Sequence, residues 1–342
     1  MMNILKIKTN SGFSSVYVGE KLKNLKQYLP DTKSVIITDE NIKRIYGRDF
    51  PVYMPVITIG TGEKIKTLST IEYIIRELIK HDLDRSGFII GIGGGIVSDI
   101  TGFAASIFLR GVRFGFVSTS LLSQVDAGIG GKNGVNLDGF KNMIGVFNQP
   151  EFIICDIDVL YTLPEEEISN GMAEIVKHAL ITDANLFEFI EQNYSKALQL
   201  DYDTIYKLVN ECVKIKASVV QRDEKESGER RKLNFGHTIG HAIESIEQKG
   251  HGRAVAMGMA AAAAFSAQKG YLNPKEVFRI NTLLKNLLLP VSFDYPKQEI
   301  FHSLAKDKKR QGDELFFIFL EKIGKARIEK ITISLLHSLF SC

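Results

Sequence analysis

The sequence predicts two bodies of different character: an α/β domain over residues 1–160 and a mainly α-helical domain over residues 161–342. Three observations carry this reading. At 342 residues the chain exceeds the ~100–200 residues of one ordinary domain. Short β-branched runs alternate with helical periodicity in the first half, the pattern of parallel βαβ units. From Pro164 onward the periodicity is almost wholly helical.

Taken in order, Ser34–Thr38 is a β-branched run closed by polar Asp39, Glu40 and Asn41, and Val56–Ile59 is a second, ending in Gly60-Thr-Gly62. Residues 64–81 have helical spacing, with Ile65, Leu68, Ile71, Ile75, Leu78 and Ile79 as the apolar stripe. Gly87–Ile92 reads as a buried strand, Ile96–Leu109 as a helix and Arg113–Ser118 as the next strand. Pro150 and Pro164 bracket a short strand, Phe152–Asp156, and the domain boundary falls near 158–163. Helices are then predicted over 165–180, 184–198, 202–220, 235–248, 253–268 and 274–288, with a late strand pair at Glu314–Leu320 and Ala326–Ile333.

Composition removes several function classes. Forty-three Lys and Arg against 40 Asp and Glu leave +3, which argues against an obligate nucleic-acid binder but leaves room for a local cationic pocket. Apolar residues at 44% and charged residues at 24% fit an ordinary globule. Cys155, Cys212 and Cys342 are odd in number and dispersed, so neither a disulfide scaffold nor a CxxC zinc site is expected. A reducing, cytoplasmic setting follows. The first ten residues lack the apolar core of a signal peptide. The longest charge-free stretch, fifteen residues between Arg253 and Lys269, is shorter than the ~20 that cross a bilayer. No membrane partner is expected.

Three features carry chemistry. Gly91-Ile-Gly-Gly-Gly95-Ile-Val-Ser-Asp99 follows a strand and opens a helix. Glycines there admit a pyrophosphate to the backbone and the helix N-terminus supplies N–H donors, although a tight strand–helix turn needs the same residues. Gly128-Ile-Gly-Gly-Lys132-Asn-Gly134 sets a cation beside flexible backbone, as a phosphate loop or a surface turn would. Three of seven histidines, His237, His241 and His251, fall within fifteen residues. The first two, at i and i+4, share a helix face as metal ligands often do. Glu174 and Glu244 are candidate anionic ligands, and spacing leaves open both the glutamate and the histidine pair. Glu174 and Lys177 could equally form an i,i+3 surface pair. Arg110, Lys132, Lys141, Lys177, Lys216, Arg230 and Lys308 lie beside these motifs, so an anionic substrate is plausible.

With these residues in view, the chain resembles the 3-dehydroquinate synthase family of the sugar phosphate cyclase superfamily along nearly its whole length. The likeness is carried by Gly93-Gly-Gly-Ile-Val-Ser-Asp99, Leu121-Leu-Ser-Gln-Val-Asp126, Gly130-Gly-Lys-Asn-Gly-Val-Asn136 and Lys141-Asn-Met-Ile-Gly145. It continues through Ala173-Glu-Ile-Val-Lys177, Asp223-Glu-Lys-Glu-Ser-Gly228, the run Leu233–Glu244 and Asp307-Lys-Lys309. No single piece is specific; the combination is.

The resemblance implies a Rossmann-like NAD-binding α/β domain followed by a helical metal-binding domain. It implies zinc, with cobalt able to replace it, held by Glu174, His237 and His251. His241 then becomes a substrate-side or proton-relay residue. NAD contacts map onto Asp39, Asn41, Glu63, Lys66, Gly94, Gly95, Ile96, Asp99, Thr119, Ser120, Asp126, Thr162 and Leu163. Catalytic roles map onto Lys132, Lys177, Lys216, Asn234 and His241, and substrate contacts onto Lys141, Asn142, Arg230 and Lys308. Arg110 looks like a residue contributed across a homodimer interface. The implied activity is that of a phosphorus–oxygen lyase of the shikimate pathway, converting 3-deoxy-D-arabino-heptulosonate 7-phosphate, a small sugar acid phosphate, to 3-dehydroquinate and phosphate. Transient oxidation by NAD, β-elimination, re-reduction and aldol closure make up the reaction. The alternatives are another cyclase, such as a 2-deoxy-scyllo-inosose synthase, or an NAD-dependent polyol dehydrogenase. Ser98, the run Val117-Ser-Thr-Ser120, Ala127 and Arg253 depart from the common family pattern.

Overall fold

The computed structural model describes residues 2–247, 250–293, 299–300 and 314–340. Lys308, with the rest of Asp307-Lys-Lys309, and Cys342 lie outside the described residues. The chain divides into two compact units, residues 1–163 with 216–224, and residues 164–215 with 225–342.

The first unit is built on a seven-stranded sheet. Its strands are β1 (Asn3–Thr9), β2 (Gly12–Val18), β3 (Ser34–Asp39), β4 (Val56–Ile59), β5 (Phe88–Gly93), β6 (Arg113–Ser118) and β9 (Phe152–Cys155), in the order β1-β2-β9-β6-β5-β3-β4. Only the β1–β2 pair is antiparallel. The five strands from β3 onward run 2-1-3-4-5 in their own numbering, a doubly wound order whose switch point lies between β3 and β5. A sheet covered on both faces needs apolar residues at successive positions. Every residue of β5 is accordingly buried. Phe88, Ile90, Ile92, Ile36, Val117, Ile154 and Phe152 pack with Leu22, Leu25 and Phe50 into one core.

Three helices serve this sheet. Asp39 ends β3 and caps α1 (Glu40–Tyr46), its carboxylate accepting from the Ile42 amide at 2.9 Å. Thr67 caps α2 (Leu68–Lys80), which buries Ile71, Ile74 and Leu78. The buried face is therefore rotated from the predicted stripe: Leu68 is 43% and Ile79 60% exposed. Adjacent apolar residues at 74–75 and 78–79 fit two faces equally, and packing chose between them. α3 (Gly95–Ile107) follows β5 directly.

Two features of this unit were not expected from the sequence. Residues 3–18 form the β1–β2 pair, whose outer strand is too mixed in polarity to show a clear period (only Ile7 is buried). The glycine-rich stretch is not merely a surface turn: it leads into a hairpin of β7 (Lys132–Leu137) and β8 (Phe140–Phe147), a sheet of its own. Between β6 and β7, Ser123–Ala127 forms a π-helical turn.

Among the described residues the second unit is helical apart from one hairpin. Its helices are α4 (Glu165–Thr182), α5 (Ala184–Leu198), α6 (Tyr202–Arg222, the last residues belonging to the first unit), α7 (His237–Glu247), α8 (His251–Gln268), α9 (Pro274–Asn286) and α10 (Ile333–Leu339). The hairpin pairs β10 (Glu314–Lys322) with β11 (Lys325–Thr332). α4 is buried from Ile168 to Ile181, the signature of a central helix. α8 is rich in alanine because it lies almost backbone to backbone against α7. A Cβ at Gly258 would stand 2.0 Å from the Gly236 carbonyl oxygen, so a larger residue there would force the two helices apart.

Candidate active site

The second unit gathers its chemistry around Glu174, which the central position of α4 buries completely. His237 opens α7 and His251 opens α8. The Nε2 atoms of both imidazoles lie 3.5 Å from Glu174 Oε1. The remaining ring nitrogens are occupied: His237 Nδ1 lies 3.3 Å from the Phe235 carbonyl and His251 Nδ1 3.4 Å from Glu244 Oε2. Such outer partners set the tautomer and turn the Nε2 lone pair inward. A tetrahedral Zn2+ with O and N donors at about 2.0–2.2 Å separates its ligands by about 3.3–3.6 Å. The observed separations match, so the three residues fit a divalent metal. His241, Glu244 and His251 form a second group of potential donors, less buried than Glu174. The rings of His237 and His241 stand perpendicular, with centroids 5.2 Å apart, and the donor group that includes Glu174 and His237 is completed by His251, while His241 falls in the second group.

Electrostatics in this cluster follow from burial. Burial pushes His237 well below the ordinary histidine range, and the Lys177 charge adds to the shift. Burial would also lower His251, but bonding to the Glu174 and Glu244 carboxylates overrides it and raises that group to about 9. Lys177 pairs with Glu174 inside the protein, each essentially without solvent exposure, so this is not a surface pair. Arg230, on the turn Glu229–Asn234, is 2% exposed. Asn234 ends that turn and donates through Nδ2 to Glu226. Lys177, Arg230, Asn234 and His241 thus belong to the same unit as the three metal-ligand candidates.

The first unit collects the residues expected to bind a dinucleotide at the carboxyl ends of its parallel strands, where open α/β sheets take their ligands. Asp39 ends β3, Gly94 and Gly95 follow β5, Thr119 and Ser120 follow β6, and Asn41 stands exposed on α1. Glu63 and Lys66 follow β4, and Thr162 and Leu163 follow β9. Gly94 is the N-cap of α3 and makes no side-chain cap, which leaves the first amides of that helix to a ligand. Gly94, Gly95, Ile96 and Asp99 keep partial exposure while the rest of the helix is mostly buried. At Gly95 a Cβ would meet the Ala127 Cβ at 2.8 Å, so the cradle is closed to side chains. These features fit a pyrophosphate-bearing cofactor. The Ser98 departure is absorbed locally: its hydroxyl donates to the Gly94 carbonyl at 3.2 Å.

Cations line this unit too. Lys216 donates to the Asp126 backbone oxygen at 2.5 Å and pairs with its carboxylate at 2.6 Å. Lys66 Nζ bridges Asp99 Oδ2 and Asn142 Oδ1, each at 2.5 Å. Burial raises the Asp99 carboxyl pKa, and Lys66 opposes the rise. Lys132 and Lys141 stand exposed on β7 and β8, and Arg110 on the turn after α3, at φ +71°. Sequence reasoning gave no role to Asn136, which bonds to Glu63, Lys66 and Asn142, or to His178, which is wholly buried on α4 one residue from Lys177. The position of Asn136 in the glycine–lysine motif was the available signal for it.

Comparison with known proteins shows the family. The family model described as 3-dehydroquinate synthase N-terminal matches residues 56–170, and that described as 3-dehydroquinate synthase C-terminal matches residues 171–310. The 3-dehydroquinate synthase of Alkaliphilus metalliredigens (strain QYMF) is 35% identical over 330 residues, covering 93% of this chain and 92% of its own length. That of Campylobacter hominis is 44% identical over 277 residues, 80% of this chain and 79% of its own. Among solved structures, 2-deoxy-scyllo-inosose synthase complexed with carbaglucose-6-phosphate, NAD+ and Co2+ is similar with a TM-score of 0.86 at 28% identity, covering 98% of this chain and 99% of that one. Both units are matched, and the likeness in sequence extends over nearly the whole length: the chain belongs to the 3-dehydroquinate synthase family.

Proposed function

We propose that this chain is a lyase that converts 3-deoxy-D-arabino-heptulosonate 7-phosphate to 3-dehydroquinate and phosphate. The observation that carries the reading is the approach of two imidazole Nε2 atoms to one buried carboxylate oxygen, 3.5 Å each, in a chain of this family. Glu174, His237 and His251 would hold the metal, and the strand ends from Asp39 to Leu163 would hold NAD. When bound, NAD supplies a hydride acceptor that is restored within the turnover, and the metal supplies Lewis acidity at the alcohol being oxidised.

The chain's own side chains bind and orient. Arg230 offers a planar, bidentate donor pair to the substrate carboxylate, and its burial excludes competing water. Lys132, Lys141 and Asn142 take the phosphate, whose departure breaks a C–O bond and leaves negative charge for the two lysines to receive. Lys177 pairs with the Glu174 carboxylate and holds it in place. Lys216, fixed by Asp126, and Asn234 position the sugar hydroxyls. His241, set against the two ligand histidines, carries protons to and from the ring oxygen.

The test is phosphate release from the heptulosonate phosphate by protein loaded with metal and NAD. Release without net NADH is expected. Turnover of only another sugar phosphate would indicate a different cyclase, and NADH formed in step with product would indicate a polyol dehydrogenase; either overturns the reading.

We also propose that the chain works as a homodimer joined through the β7–β8 hairpin. Leu137, Phe140, Met143 and Phe147 are each about 40–50% exposed there. The outer edge of β8 has no strand beside it among the described residues. An open edge with apolar side chains calls for a covering surface, and a second copy would bring Arg110, which follows α3, to the junction.

A further inference from the structure

Asn136 stands where the β7–β8 ladder breaks register. Val135 pairs with Ile144, but Leu137 pairs with Phe140, so the strands advance unequally around it. Such an irregularity re-aims a residue out of the ladder. The Asn136 amide accordingly donates to the Lys66 carbonyl at 2.8 Å. Its side chain works in two directions: Nδ2 donates to Glu63 Oε1 at 2.7 Å, and Oδ1 accepts from the Asn142 amide at 2.9 Å. Asn142 is at φ +50°, a left-handed conformation that asparagine adopts more readily than most residues. Lys66 closes the circuit, its ammonium bridging Asp99 and Asn142.

We infer that Asn136 is a positioning residue that ties the cofactor side of the first unit, at Glu63 and Lys66, to Asn142 on the phosphate side. The inference rests on the proposed function only in naming which side each partner serves. Asn136 acts through these protein partners. It fixes the two loops relative to one another, through one amide group with a donor end and an acceptor end.

Because the two ends differ, they separate experimentally. Asn136→Ala removes both side-chain bonds. It should weaken NAD binding, measured by titration calorimetry, and raise KM for the heptulosonate phosphate, each by roughly tenfold, with kcat changed less. Asn136→Asp keeps an acceptor for the Asn142 amide but turns a carboxylate toward Glu63. It should weaken NAD at least as much while leaving KM close to wild type. The Asp variant also serves if the Ala variant does not fold. An unchanged NAD Kd in either folded variant, or the same rise in KM in both, overturns the inference. If the wild type releases no phosphate, the functional reading fails by itself, and the NAD titrations still decide whether Asn136 orders the Glu63 side.

Discussion

A carboxylate buried as completely as Glu174 is tolerated only against compensating positive charge or a metal. Lys177 supplies the charge, and the two imidazoles complete a donor set for a metal. His251→Ala should therefore lose metal and activity together, with metal content read by elemental analysis; a fully metallated, active variant would refute the assignment. His241→Ala should keep its metal while losing turnover, because His241 lies outside the donor group of Glu174, His237 and His251. At this scale the sequence displayed the histidine cluster but not the choice within it. Spacing along a helix reports which residues share a face. The direction of an Nε2 lone pair depends on what binds Nδ1, here the Phe235 carbonyl and the Glu244 carboxylate, and neither contact follows from the i,i+4 period.

Among elements, the end of α6 is held to the β1–β2 turn by one residue. Glu224 accepts from the Asn10 and Ser11 amides at 3.0 and 3.2 Å, from Gln149 Nε2 at 3.2 Å, and from the Ser11 hydroxyl. Burial alone would raise its pKa, but the bonds from Ser11, Thr9 and Gln149 outweigh it and hold the carboxyl below its usual range. A folded-state pKa lowered in this way contributes stability above the unfolded value of about 4.3, and that stability is lost as pH falls through the folded value. Glu224→Gln should thus cost about 1 kcal/mol at neutral pH, the difference between charged and neutral hydrogen bonds. The cost should vanish in acid. Denaturant unfolding at several pH values would show it, and a penalty that persists unchanged in acid would be wrong for a carboxylate role. Elements with strong periods, such as β4, β6 and α5, fall where the sequence puts them. The β1–β2 pair and the β7–β8 hairpin were illegible for a common reason. Each has an exposed face, so its strands carry no clear apolar period: β1 buries only Ile7, and β8 is exposed or half-buried throughout.

For the whole molecule, no helix among the described residues is long and apolar enough to cross a membrane. The β7–β8 hairpin exposes Phe140 and Phe147, which a second copy would cover in the proposed dimer. Sedimentation should show a dimer, and Phe140→Asp with Phe147→Asp should shift it toward monomer. A monomeric wild type at micromolar concentration would remove the proposed interface.

The sequence by itself determined the alternation of strand and helix, the glycine opening of α3 and the family, because these are local patterns carried by nearest neighbours. It also concentrated the candidate cations beside those patterns. Tertiary structure alone decided which face of α2 is buried, which imidazole atoms meet Glu174, and how Asn136 links Lys66 to Asn142. Those outcomes depend on residues brought together from distant positions, and on burial, which selects among faces that an isolated helix or strand offers equally.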